Sequence, residues 1–192
     1  FTVNSNENHG IYVRGKETIT IANNILDGGS PQSSKQIQGV GMAAVGNPTL
    51  VILDNTIKNY RQGAYIQGAN TGPTVIRGNA IENVVVGVAL TKSLSNGSTF
   101  EDNVIENASL EALSINNDGN TVADNTFSES GAGVRFYADT GTNNTATANT
   151  FTANEVQVED KSGKVDLETS LTSNAFGRPV GVRVRLLRVP SL

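Results

Sequence analysis

Apolar positions along the chain recur in fixed register around a repeated asparagine. The asparagines are Asn24, Asn55, Asn79, Asn103, Asn125, Asn149 and Asn174, at successive gaps of 31, 24, 24, 22, 24 and 25 residues. Two residues after them stand Leu26, Ile57, Ile81, Ile105, Phe127, Phe151 and Phe176; three before them stand Ile21, Ile52, Ile76, Phe100, Val122, Ala146 and Leu171. A second landmark precedes each asparagine. It reads HGIYV (9–13), QGVGM (38–42), QGAYI (62–66), VGVAL (86–90), EALSI (111–115), AGVRF (132–136) and NEVQV (154–158). Apolar residues alternate there over a short stretch usually opened by Gly, the period-2 signal of a strand. Each repeat therefore predicts two or three short strands separated by polar turns.

A unit this short cannot bury its own apolar face, so units must stack. The pattern of leucine-rich repeats is absent and no segment has helical periodicity. The predicted fold is an all-β parallel β-helix of about seven coils, roughly 24 residues each, with adjacent coils about 4.8 Å apart. Residues 1–176 form the single β-helix domain. Stacked Asn side chains would hydrogen-bond along the rod axis, and Asn tolerates the left-handed backbone of a sharp turn. Asn59, Asn83 and Asn107 form a second, shorter column. The tail at 177–192 breaks the pattern with Arg178, Arg183, Arg185 and Arg188 and no acidic residue. It either caps the last coil, whose open edge invites self-association, or is a truncation artefact.

Composition narrows the partners. A net charge of −4 and a sequence pI near 5.0 argue against a nucleic-acid surface. No apolar run is long enough to span a membrane. The absence of Cys removes disulfides, thiolate metal sites and Cys nucleophiles. With charged residues at 17% and no Trp, the polar surface must come largely from Asn, Thr, Ser and Gly, residues suited to turns. A start at Phe1 rather than Met is what a processed or excised fragment would show.

The G-[IV]-x-[VIL] strand followed by [VI]-x-x-N-x-[IF] resembles the right-handed parallel β-helix repeats of the pectate-lyase-like superfamily. The likeness covers about residues 9–176 and is similar in texture to mannuronan epimerase-like and NosD-like exported proteins. It implies right-handedness and a secreted or cell-surface location. It also implies either a module that binds or processes an acidic polysaccharide or cell-surface glycan, or a non-catalytic structural or adhesive segment. An enzyme would be of lyase, epimerase or glycoside hydrolase type. The Asp-Pro-His triplet of mannuronan epimerases does not occur, nor does the paired Asp with neighbouring His of polygalacturonases. Thr columns are too interrupted for an ice-binding face.

Enzymes and binding proteins of this kind place substrate along one stacked strand face. Along the Gly-opened strand the outward column reads Tyr12, Gly41, Tyr65, Ala89, Ser114, Arg135 and Gln157. Two residues on come Arg14, Ala43, Gln67, Thr91, Asn116, Tyr137 and Glu159. Small residues flanked by Tyr and Arg make a shallow trough with sugar-stacking and carboxylate-binding edges, with Tyr12, Arg14, Tyr65, Gln67, Arg135 and Tyr137 as the expected binding residues. A tolerated solvent face of mixed residues is the alternative. No catalytic residue or cofactor is assigned. Stacked carboxylates, Asp102 with Asp124 and Glu82 with Glu106, would suit acid–base work or Ca²⁺, while Lys58 and Arg77 in the neighbouring positions read as charge compensation. His9 is the one imidazole. The long first gap places a polar loop at 27–36, either a groove wall or a tolerated insertion.

Overall fold

The structure, a computed structural model, describes residues 2–4, 9–13, 18–29, 38–45, 49–69, 73–91, 97–137, 143–162, 173–177 and 185–186. Every regular element among them is a strand, and every pairing is parallel. The strands stack into three columns, the architecture the repeat predicts.

One column follows the ladder asparagines. It comprises β1 (Thr2–Asn4), β4 (Ile25–Asp27), β7 (Thr56–Lys58), the starts of β10 (Ala80–Leu90) and β12 (Val104–Ile115), then β14 (Thr126–Ser128), β17 (Thr150–Thr152) and β19 (Ala175–Phe176). A second, preceding the asparagines, holds β3 (Ile19–Ala22), β6 (Leu50–Leu53), β9 (Thr74–Arg77), β11 (Thr99–Glu101), β13 (Thr121–Ala123) and β16 (Thr145–Thr147). The third is the Gly-opened face: β2 (Ile11–Val13), β5 (Gln38–Val45), β8 (Gln62–Ala69), the ends of β10 and β12, β15 (Ala132–Phe136), β18 (Val156–Asp160) and β20 (Arg185–Leu186). Four turns, from Asn55 to Asn149, keep the regular spacing of 24 or 22 residues, against the seven coils expected. In the turns at either end, residues 30–37 and 163–172 lie outside the described residues, as do Leu171 and most of the basic tail.

The asparagine ladder holds these columns in register. Each Asn side-chain oxygen accepts from both the backbone N–H and the side-chain amide of the Asn one coil earlier, at 2.7–3.0 Å from Asn24 through Asn174. The amide also donates to the carbonyl of the preceding coil's core residue, as Asn103 does to Ile76 at 2.9 Å. Asn55, Asn79, Asn103, Asn125 and Asn149 are almost wholly buried, so these bonds replace water that cannot reach them. The left-handed turn conformation falls one residue earlier than expected, on Asn23, Asp54, Gly78, Asp102, Asp124 and Ala148. Short polar side chains and Gly tolerate that backbone, and Ala148 takes it at a cost. Asn59, Asn83 and Asn107 do adopt it themselves. Asn83 donates to Asn59 and Asn59 to Asp27, so the second column also forms a chain.

The two apolar columns meet in the core. Ile57, Ile81, Ile105, Phe127 and Phe151 are fully buried, and the rings of Phe127, Phe151 and Phe176 stack at 5.2 Å intervals. That core explains the Gly that opens the third face. A Cβ on Gly63 would sit 2.6 Å from Ile81 and 2.5 Å from the Gly87 carbonyl; one on Gly133 would sit 2.6 Å from Phe151. Beside Ile57, Ile81, Ile105 and Phe151 the adjoining strand therefore carries Gly.

Asn103→Ala leaves the Asn79 backbone N–H and the Ile76 carbonyl buried without their side-chain partner. At about 1–3 kcal/mol per orphaned group, the loss in urea unfolding should be about 4 kcal/mol, and larger than for Asn174→Ala at the less buried end. A loss under about 1 kcal/mol would remove the ladder from its structural role.

Candidate functional site

The register of the third face puts Tyr12, Gly41, Tyr65, Ala89, Ser114 and Arg135 in one outward column, as the alternation predicts. The last member differs. Glu159, not Gln157, pairs with Arg135. Asn154 sits at the turn, where its side-chain oxygen accepts the Ser130 N–H at 3.0 Å, so the strand begins at Val156 and Gln157 falls on the buried Gly column. The neighbouring column consequently ends on Lys161 rather than Glu159, the Lys161 N–H bonding the Phe136 carbonyl at 2.8 Å.

A pocket of about 240 Å³ opens in the middle of this face. Val86, Ala89, Leu90 and Ser114 form its floor; Gln62 and Tyr65 stand at one side and Glu111, Asn116 and Tyr137 at the other. Two rungs of small residues between the tyrosines give a trough about 10 Å long. Of the expected residues, Tyr65 and Tyr137 are brought together here. Gln67 is exposed beside the pocket, and Tyr12 stands beyond Gly41, its ring stacked on His9 at 5.2 Å. Arg14 lies outside the described residues.

Arg135 behaves differently from a free anion binder. Its Nε donates to Glu159 at 2.5 Å, and its Nη1 donates to Glu111. Tyr137 donates its hydroxyl to both Glu111 oxygens at 3.0 and 3.1 Å. Lys161 closes the group, 3.8 Å from Glu159 and 5.6 Å from the Tyr137 ring centre. Burial alone would lower the Arg135 pKa, but the Glu111 charge and the bond to Glu159 outweigh it and hold the guanidinium above its ordinary value. Burial, and then the Glu111 charge, push the Tyr137 hydroxyl up.

Glu111 was not singled out by the alternation. It lies in the corner column Gln38, Gln62, Val86, Glu111, Ala132, just ahead of the Gly position, and is 4% exposed. A lone acid in a column of amides and small residues was the available signal.

The other candidates sit on solvated walls. Asp102 and Asp124 are exposed at the left-handed corner, where backbone shape accounts for them. Glu82 and Glu106 are paired in register and exposed, with Lys58 4.0 Å from Glu82 and 3.8 Å from Asp27. Arg77 lies 3.9 Å from Glu101. Among the described residues no three His, Cys, Asp or Glu side chains stand together.

Residues 2–180 match the model of a protein family described as periplasmic copper-binding protein, NosD. The chain belongs to the NosD family. It is thereby a module of an exported, right-handed β-helix family. No curated protein and no solved structure matches it. No helix among the described residues is long and apolar enough to cross a membrane.

The family's description raises copper, and the donor set can be tested against it. Copper sites use imidazole, thiolate and thioether ligands. This chain has one His, one Met and no Cys. The Nδ1 of His9 already accepts the Gln38 N–H at 3.2 Å. The donors present do not fit a resident copper ion.

The raised Tyr137 pKa has a signed consequence. A group with a raised folded pKa favours the protonated state in the fold, so its contribution is complete below the ordinary tyrosine value near 10 and is lost as pH rises above it. Between about pH 9 and 11.5 the wild type should lose more stability than Tyr137→Phe, measured by urea unfolding. Tyr60, whose pKa is raised first by its burial, is common to both proteins and cancels. Equal losses would show that Tyr137 ionises freely.

Proposed function

We propose that this exported β-helix module binds a polysaccharide chain along its Gly-opened face, with the trough between Tyr65 and Tyr137 as the principal subsite. The supporting observation is the pocket itself: a floor of Val86, Ala89 and Ser114 with a tyrosine at each side. Flat aromatic faces pack against the apolar faces of pyranose rings, while Gln62, Thr91, Ser114 and Asn116 offer hydrogen bonds to hydroxyls. At about 240 Å³ it is smaller than the roughly 300–1,000 Å³ of a typical small-molecule site. An open subsite of that size suits one unit of a chain that continues along the rod, toward Tyr12 in one direction and Lys161 in the other.

The acidic polymer expected from the sequence rested on Arg135 as carboxylate binder. Its engagement by Glu111 and Glu159 weakens that half of the reading and leaves the aromatic half intact. The family's printed copper role finds no donor set here, so the reading proposed is glycan binding in the periplasm or beyond, without an assigned reaction. A structural or adhesive module is the second reading. It is favoured by the ion pairs among wall residues such as Lys58 with Glu82 and Asp27, which satisfy one another.

A glycan array probed with the wild type and with Tyr65→Ala separates the two. Binding to extended oligosaccharides, reduced at least tenfold by Tyr65→Ala at unchanged thermal stability, is the expected result. Uniformly negative arrays, or binding indifferent to Tyr65, would leave the structural module standing.

A further inference from the structure

Among the described residues, the pocket lining contains one carboxylate, Glu111, and no Lys or Arg. Around it the charges close on themselves. Arg135 bonds Glu111 and Glu159, and Lys161 stands against Glu159, so two cations meet two anions. A sugar carboxylate entering the trough would meet no unengaged cation among the described lining residues. With the cluster already neutral, the sugar's own carboxylate would be desolvated without a charge partner, which is costly.

The unfilled hydrogen-bonding capacity is of one kind. An ionised carboxylate offers about four lone-pair positions. Arg135 takes one on Oε2, and the single Tyr137 proton is shared across both oxygens. Glu111 Oε1 therefore retains room for another donor. Asn116, on the same wall, has its side-chain oxygen buried with no hydrogen-bond partner. Buried acceptors without partners are uncommon. One acceptor without a partner and one carboxylate oxygen with room for a further donor, both in the lining of one pocket, call for a ligand that brings donors.

We propose that the trough recognises an uncharged sugar unit, whose hydroxyls donate to Glu111 Oε1 and Asn116 Oδ1, and that it discriminates against uronates. This rests on the glycan-binding reading and supplies its substrate class. Arg135 is a positioning residue here: with Tyr137 it fixes the Glu111 carboxylate at the pocket wall. An ammonium sugar gains little over a neutral one, because the Glu111 charge is already matched by Arg135.

Titration calorimetry on the full chain tests this with neutral hexose hexamers, a galacturonate hexamer and a glucosamine hexamer as probes. A neutral hexamer should bind at least tenfold more tightly than galacturonate, and Tyr65→Ala should abolish that binding. Glu111→Gln should weaken it about tenfold to a hundredfold, the range of a charge-assisted hydrogen bond. Asn116→Ala lies outside the charge cluster and carries the test should Glu111→Gln not fold; it should weaken binding about fivefold to tenfold. Tyr65-dependent binding in which galacturonate equals or exceeds the neutral hexamers, or in which glucosamine clearly exceeds them, would overturn the proposed class. So would neutral binding indifferent to both Glu111→Gln and Asn116→Ala. A result in which no hexamer binds, or none depends on Tyr65, instead overturns the trough reading beneath it.

Discussion

The rod depends on a shared acceptor: one Asn oxygen taking both the backbone and the side-chain N–H of the Asn a coil away. A parallel stack of short strands has no hairpin to set its register, and strands of three or four residues slip easily. The ladder removes that freedom. Because each rung ties the backbone at the corner and also reaches the carbonyl of a core residue, a shift in one coil would orphan buried groups in two others. Register is thus fixed from inside, at a corner, and strand length becomes secondary.

The other regularities follow from that one. With the corner fixed, the residue two positions on always points inward, and it can be only Ile, Leu or Phe. Its bulk then forbids a Cβ on the adjoining strand, which is why Gly opens the third face in most coils. The rule has exceptions at Ala112 and Gln157, and both lie where the core beside them changes from Ile to Phe or nears the end of the described rod. The outward positions of that face take no part in these constraints. They are free to vary from coil to coil, and variation is where Tyr, Glu and Arg enter.

The division also explains what could be read from residues alone. Asn125 and Phe127 were legible because their roles repeat in every coil, so pattern and physics coincide. The outward column was legible as far as Arg135 for the same reason. It failed at Gln157, where NEVQV resembles a strand from its first residue, although Asn154 is held at the turn by Ser130. Glu111 escaped because it occupies a corner rather than an alternating position, and corners carry no period-2 signal. The clasp on Arg135 was hidden by the misplacement at Gln157. Glu159 stands in register with Arg135 once the strand begins at Val156, and Glu111 reaches it from the corner of the preceding coil.

A family match on a solenoid needs the same distinction. What recurs across residues 2–180 is the ladder, the core column and the Gly column, and these define the coil. The match spans the whole repeat region, so it carries the fold and the exported character of the family. It carries little about any side chain that occurs once. A copper site would need several such side chains converging, and one His with one Met and no Cys does not fit it. Glu111, Asn116, Tyr65 and Tyr137 are also single occurrences, and the proposed subsite rests on them rather than on the match. On this scaffold, chemistry is to be sought where the repeat is broken on the outside while remaining intact within.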